Sequence, residues 1–167
     1  MFKLFRDLRP YSLYVVATLL LIFSHSIADL SLPTLMSEII DKGIARNDMA
    51  LIGRTGAWML LVALVGAAAN IASGYTASRA AMGFGRDLRS RVFARVSGFS
   101  LREMDKFGAS SLITRTTNDI TQVQQVLVMM LRMMVLSPMM AAGGIVMAVA
   151  KEPSLTWILL VALPVIT

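Results

Sequence analysis

The sequence predicts an all-α membrane protein, and three observations support this fold class. The chain is 56% hydrophobic and 16% charged, whereas a soluble domain is roughly 45 to 50% apolar and about 25% charged. Three apolar stretches reach the length of about 20 residues that a helix needs to cross a bilayer. The basic residues cluster in one connection between these stretches, as they do in loops of membrane proteins.

The composition also argues against several other classes of protein. The 167 residues include no cysteine and one histidine, His25, so disulfides, thiolate metal sites and cysteine nucleophiles are excluded. We predict no metal site and no catalytic residues. The formal charge of +6 does not indicate a nucleic-acid partner, because membrane topology explains the arginines and they lack interleaved aromatic residues.

The first element is a basic N-terminal segment followed by an apolar run. Lys3, Arg6 and Arg9 resemble the start of a signal peptide, but the apolar run 11–35 exceeds a signal core of about 7 to 15 residues. No small-residue cleavage site follows it. We therefore predict a cytoplasmic N-terminal elbow at 1–10 and a retained membrane span at 11–35.

Two further spans are predicted at 51–75 and at about 126–150. Another apolar run begins at 155 and contains 13 residues, which is too short to cross a bilayer as a helix. We expect that the sequence is a piece of a longer protein, interrupted inside a fourth span at 155–167.

Charge predicts the orientation of these spans. The connection 76–118 carries eight lysines and arginines, whereas the connection after the third span carries one, Lys151. Cytoplasmic loops are enriched in these residues. The connection 76–118 and the N-terminus are therefore predicted to be cytoplasmic, with 37–48 outside.

The connection 76–118 is too long for an ordinary linker and contains no proline, which predicts structure of its own. Phe84, Leu88, Val92 and Val96 recur at every fourth residue, as on one face of a helix. The second span should therefore continue as a helix beyond the membrane.

We expect this helix to run to about Arg102 and to stop near Gly108, because glycine commonly terminates helices. The segment 116–119 has the threonine-x-x-acid spacing of a capping box, so a new helix should begin there and lead into span three. The segment 109–115 would form the tip of a long helical hairpin.

Four stretches resemble the membrane domain of bacterial multidrug-type ATP-binding-cassette (ABC) exporters, which are half-transporters with six membrane helices and a nucleotide-binding domain. They are LSLPTLM at 30–36 with IIDKGI at 39–44, GRDLR at 85–89, FGASSLITRTTND at 107–119, and Pro138 with the glycines at 143–144. The third stretch is the most specific, because a leucine, an arginine and an Asn-Asp pair at this spacing recur in that family.

The resemblance implies a type-1 exporter transmembrane domain over 11–167, with the first three membrane helices, the start of the fourth and long cytoplasmic extensions. It also implies that 109–115 is a coupling helix, which fits a cleft on the nucleotide-binding domain. Within it, Leu112 and Ile113 should both be buried against that partner, and Arg115 should pair with an acid such as Asp119. The coupling residues implied are Phe107, Gly108, Ser111, Leu112, Ile113, Arg115 and Asp119.

The implied function is that of a permease, which moves a small molecule, drug or lipid-like substrate by alternating access. The implied partners are the nucleotide-binding domain, a second identical or different half-transporter, and the lipids of a bacterial inner membrane. The chain lacks a phosphate-binding loop, so ATP and Mg are expected only in the full-length protein, and this chain has no enzymatic activity or cofactor of its own. A membrane-anchored signalling or scaffold protein is the alternative, although the break at 108–111 interrupts the heptads that it would need.

A candidate substrate cavity rests on two pairs of residues. His25 and Asp29 lie four apart in span one, and ionisable groups inside a membrane are candidates for function or for a hydrogen-bonded structural pair. Met133 and Met140 carry flexible thioethers that can line an adaptable pocket or serve as ordinary packing. Both interpretations remain open for each pair.

Overall fold

The computed structural model describes residues 8–151, without the side chains of residues 101, 105, 106, 109 and 151. Residues 1–7 of the predicted elbow and the predicted fourth span 155–167 lie outside the described residues. The part described is helical and contains no strand. Its α-helices are α1 (Ser12–Glu38), α2 (Met49–Ser97), α3 (Leu101–Phe107), α4 (Ala109–Thr114) and α5 (Ile120–Lys151).

Short irregular helical segments join these helices. A 3-10 turn, Arg9–Tyr11, precedes α1, and π-helical turns occupy Ile39–Ile44 and Arg115–Asp119. Three helical stretches, 9–44, 49–97 and 110–150, are long and apolar enough to cross a membrane. The predicted all-α membrane fold is thus confirmed.

Helix α2 is the longest element, with 49 residues, more than twice the number that a bilayer requires. It continues past the second span without a break, as the absence of proline predicts. The expected end near Arg102 is wrong, because α2 ends at Ser97. A new helix, α3, begins at Leu101 after the N-cap residue Ser100.

The expected start of the returning helix is also wrong. The chain is already helical from Ala109, and the segment 116–119 belongs to a π-helical turn within that helical run. The hydroxyl of Thr116 donates to the Leu112 carbonyl at 2.7 Å, and that of Thr117 donates to the Ile113 carbonyl at 2.8 Å. These hydroxyls therefore bond back along an existing helix and do not cap a new one.

The described chain forms two compact units, the first of which contains residues up to Leu21 together with Ile71–Met133. Its core consists of six buried apolar residues from the N-terminal turn, α2 and α5. They are Leu8, Ala80, Ala81, Phe84, Leu127 and Leu131. Tyr11, Val15, Leu88, Val123 and Val128 pack against them. The buried Phe84 and half-buried Leu88 agree with the helical face that the sequence predicts.

The second unit contains Ile22–Asn70 and the chain from Met134. Small residues allow its helices to approach closely. A Cβ atom at Gly66 would lie 2.9 Å from the Cβ of Ala28, and a Cβ atom at Gly143 would overlap the side chain of Leu30. Glycine and alanine at such contacts are typical of packing between membrane helices.

Candidate functional site at the tip of the helical hairpin

Gly108 forms the turn at the hairpin tip, between α3 and α4. Its backbone angles are φ +75° and ψ 134°, a conformation that is essentially restricted to glycine. Its N–H donates to the Met104 carbonyl at 2.9 Å, and its carbonyl accepts from the Leu112 N–H at 3.2 Å. The glycine therefore ends one helix and begins the next, as its position in the sequence suggests.

A capping box at Ser100 and Glu103 begins α3. The Ser100 hydroxyl accepts from the Glu103 N–H, while the Ser100 N–H donates to the Glu103 carboxylate at 2.8 Å. The Ser100 hydroxyl also donates to that carboxylate at 2.7 Å. These hydrogen bonds stabilise the ionised carboxylate and therefore lower the pKa of Glu103 below its ordinary value. The bond from the Ser100 backbone N–H contributes most. The serine-x-x-glutamate signal was present in the sequence, but the expected helix continued through it.

Helix α3 folds back toward the end of α2 and encloses an apolar groove of about 580 Å³. The rings of Phe99 and Phe107 stack with centroids 5.7 Å apart. The groove is lined by Arg91, Val92, Ala94, Arg95, Val96, Phe99, Phe107, Leu112 and Arg115. Val92 and Val96 extend the apolar face of α2 to this point, so the tip packs onto the same helical stripe that the sequence shows.

Leu112 and Ile113 face different environments at the tip. Leu112 is 8% exposed and lines the groove, whereas Ile113 is 64% exposed. Neighbouring residues in a helix project about 100° apart, because there are 3.6 residues per turn. The two residues therefore have different environments: Leu112 packs against its own hairpin, and Ile113 is exposed and available to a partner.

The remaining residues of the predicted coupling set are mostly exposed. Phe107, Arg115 and Asp119 are exposed, and Ser111 is half-buried. The expected pair of Arg115 with Asp119 is wrong, since no ion pair joins them in the described part of the chain. Both belong to a π-helical turn, in which backbone bonds join residues five apart, so a separation of four no longer aligns two side chains.

Arg89 of α2 contacts the π-helical turn that follows the tip, a contact that the sequence did not predict. Its Nε donates to the Thr116 carbonyl at 3.3 Å and ties α2 to the π-helical turn. A long basic side chain in a hairpin has many available partners, so the sequence offered no signal for this bond beyond the GRDLR stretch that contains it.

The four candidate cavity residues lie elsewhere. In the second unit, the Nε2 of His25 lies 3.4 Å from a carboxylate oxygen of Asp29, and the histidine side chain is 18% exposed. His25 Nδ1 is buried without a hydrogen-bond partner among the described residues, on the side of Gly66. Met140 is half-buried in that unit, while Met133 is exposed in the first. The structure pairs the two ionisable residues.

Comparison with known proteins identifies similar sequences. Residues 15–167 match the family of ABC transporter transmembrane regions. The chain is 42% identical over 161 residues to an uncharacterized ABC transporter ATP-binding protein of Mycobacterium tuberculosis, covering 96% of this chain and 28% of that protein. It is 36% identical over 159 residues to another of Bacillus subtilis, covering 95% of this chain and 28% of that protein.

A more distant relative is a putative export ATP-binding/permease protein of Rickettsia typhi. It is 21% identical over 166 residues, which cover 99% of this chain and 29% of that protein. The chain therefore spans a little over a quarter of the length of the curated relatives that it matches.

Proposed function

This chain belongs to the family of ABC transporter transmembrane regions, and from that premise we propose that it works in an exporter driven by ATP. The membrane-spanning part would move a small molecule, drug or lipid-like substrate by alternating access. The Rickettsia typhi relative is named as an export protein, and this name supports the export direction proposed for this chain.

The coupling role is assigned to α4, Ala109–Thr114, and to the residues around it. One observation carries this assignment: Ile113 is an apolar side chain at the tip of a hairpin, 64% exposed, beside a Leu112 that is buried. Because Leu112 packs the tip against its own hairpin, a partner that contacts Ile113 can move the tip and both helices of the hairpin together. Rigid-body motion of packed helices belongs to the known repertoire of such transitions.

The partner in this proposal is an ATPase domain. Relatives of this chain are named ATP-binding proteins and are more than three times as long as the matched region, which leaves room for such a domain. ATP and Mg would bind there. A second half-transporter, identical or different, would complete the permease.

The proposed site is a bacterial inner membrane, with the N-terminus and the hairpin tip in the cytoplasm. The charge of the connection 76–118 supports this orientation, since it carries eight lysines and arginines. An ATPase domain that uses cellular ATP has to meet the tip on the same side.

His25 and Asp29 are proposed as polar contacts along the substrate path. They pair about midway along α1, where ionisable groups are costly unless they serve a function or a structural partner. Met133 and Met140 remain candidates for adaptable apolar contacts.

The contact of Ile113 with an ATPase domain can be tested by cross-linking in the full-length protein. These 167 residues contain no cysteine, so once any cysteine elsewhere in the full-length protein is replaced, Ile113→Cys can carry a photoactivatable maleimide as the probe. We expect cross-linked peptides from the ATPase domain. Ser97→Cys, also exposed but outside the tip, serves as the matched control and should give none. Equal cross-linking from both positions, or products confined to membrane helices, would rule out the assigned contact.

A further inference from the structure

Arg79 lies at the end of a long uncharged stretch of α2. The 24 residues from 55 to 78 contain no aspartate, glutamate, lysine or arginine. As a helix they extend about 36 Å, slightly more than the bilayer hydrocarbon core of about 30 Å. Arg54 and Arg79 therefore mark the two levels at which α2 leaves the hydrocarbon.

Tyr75 holds the Arg79 side chain in a defined position. The Nε of Arg79 donates to the Tyr75 hydroxyl oxygen at 2.9 Å, and the guanidinium carbon lies 5.2 Å from the centre of the Tyr75 ring. Because this oxygen accepts a hydrogen bond, the Tyr75 O–H proton remains able to donate to another group. Both side chains are exposed, and Arg79 has no acidic partner within the described residues.

Tyr14 of α1 reaches the same level. The hydroxyl oxygens of Thr18 and Thr76 lie 2.8 Å apart, which aligns α1 and α2 at this point. The two helices are antiparallel at this point, as the hydrogen bond between Tyr11 and Asp87 shows. Tyr14 lies one turn before Thr18, and Arg79 lies nearly one turn after Thr76. The partly exposed Tyr14 is therefore at the same height along the paired helices as Arg79.

The surface around this cluster is apolar and open. On the hydrocarbon side of Arg79, Leu20 and Ile71 are largely exposed on the same pair of helices. Tyrosine with arginine at the end of an apolar helix is typical of the membrane–water interface. The group present there with complementary charge is a lipid phosphate, which an arginine binds through two parallel N–H donors.

We propose that Tyr14, Tyr75 and Arg79 form a binding site for the headgroup phosphate of an anionic phospholipid. The guanidinium holds the phosphate oxygens, the tyrosine hydroxyls donate to them, and the acyl chains lie along the exposed apolar residues toward the hydrocarbon. A zwitterionic lipid binds less well, because its ammonium group meets the positive charge of Arg79. The proposal requires only that α2 spans a membrane and does not depend on the coupling role of the tip.

Native mass spectrometry of the purified full-length protein tests this site, with phosphatidylglycerol and phosphatidylcholine as the probes. We expect wild-type protein to retain phosphatidylglycerol preferentially, and Arg79→Gln to lower its apparent affinity about tenfold, since a charge-assisted contact is lost. Arg95→Gln is the matched control, because Arg95 is an exposed arginine four turns further along α2. Its retention should equal that of wild type.

Two further measurements distinguish lipid binding from misfolding of the variant and from binding of a free phosphate. Tyr75→Phe keeps the ring and its packing, so a weaker affinity for phosphatidylglycerol in this variant supports the site even if Arg79→Gln folds poorly. Glycerol 3-phosphate carries the same phosphate without acyl chains and should not displace the lipid. Wild-type retention by both Arg79→Gln and Tyr75→Phe, or an equal loss in Arg95→Gln, would overturn the proposal, as would displacement by glycerol 3-phosphate.

Discussion

At the scale of single residues, Gly108 determines the shape of the hairpin tip. Its positive φ turns the chain between α3 and α4, and both of its backbone polar groups bond to neighbouring helical turns. A residue with a Cβ atom is strained in this conformation even though there is open space around it.

We predict that Gly108→Ala destabilises the tip by about 1 to 3 kcal/mol, the usual cost of such strain. Hydrogen exchange of the Leu112 and Ile113 amides should then be roughly tenfold faster or more. Gly98→Ala is the control, since a Cβ atom there makes ordinary contacts, the nearest at 3.6 Å. Unchanged exchange in Gly108→Ala, or equal acceleration in Gly98→Ala, would show that the strain is not significant.

The residue scale also shows what the sequence left undetermined at the site. The resemblance named Leu112 and Ile113 together, and a two-residue apolar pair has no periodicity that would distinguish an inner from an outer side chain. Their separation follows from the angle at which α4 leaves Gly108 and from the groove lined by Phe99 and Phe107. Arg115 and Asp119 are unpaired with each other for a similar reason, because a π-helical turn cannot be recognised from their spacing.

At the scale of elements, two sequences with the same capping pattern behave differently. Ser100 with Glu103 forms a full capping box, whereas the threonines of 116–119 bond back to earlier carbonyls. The difference lies upstream, because α2 has already ended at Ser97, whereas the chain before Thr116 is already helical. The long helices themselves were predictable, since each combines apolar length with a continuous helical face.

Two glycines of α2 allow side chains from elsewhere in the first unit to pack closely against this helix. A Cβ atom at Gly83 would overlap the Tyr11 ring, and one at Gly85 would overlap Gln124. The Tyr11 hydroxyl donates to the Asp87 carboxylate at 2.8 Å, so the ring is not free to swing away. These glycines are therefore packing positions of the first unit.

We expect Gly83→Ala to destabilise the protein by about 1 to 3 kcal/mol, as overpacking does in a close-packed interior. Gly74→Ala on the same helix is the matched control, because no atom lies within 4 Å of its added Cβ. Thermal unfolding in detergent measures both. The loss in Gly83→Ala should shrink in a Tyr11→Ala background, and a Gly83→Ala protein as stable as Gly74→Ala would refute the packing role.

At the scale of the whole molecule, charge predicts which ends of the helices lie on the same side of the membrane. Arg46 and Ser97 are both exposed, so Arg46→Cys and Ser97→Cys can report on the two sides. A membrane-impermeant maleimide added to intact bacteria should label Arg46→Cys, while Ser97→Cys should require permeabilised membranes. The reverse labelling pattern would invert the proposed topology.

The family could be recognised from the sequence chiefly through the stretch 107–119, which spans the helix ends around Gly108, where backbone geometry restricts the residue type. The substrate could not, because its contacts depend on how several helices come together. His25 and Asp29 illustrate this limit: their spacing predicts the pair, but not whether it faces a cavity or, as the position of Gly66 suggests, a neighbouring helix.

The central claim is that the hairpin tip transmits ATP-driven movement to the membrane helices. It can be measured in the full-length transporter as the change in maleimide labelling rate of Arg46→Cys on addition of ATP and vanadate, with ATP hydrolysis assayed in parallel. A charge at an exposed apolar contact disrupts an interface without unfolding the protein. Ile113→Asp should therefore abolish the ATP-dependent change in labelling while basal hydrolysis continues, and Ser97→Asp should preserve both. An unchanged ATP-dependent response in Ile113→Asp would contradict the coupling role of the tip.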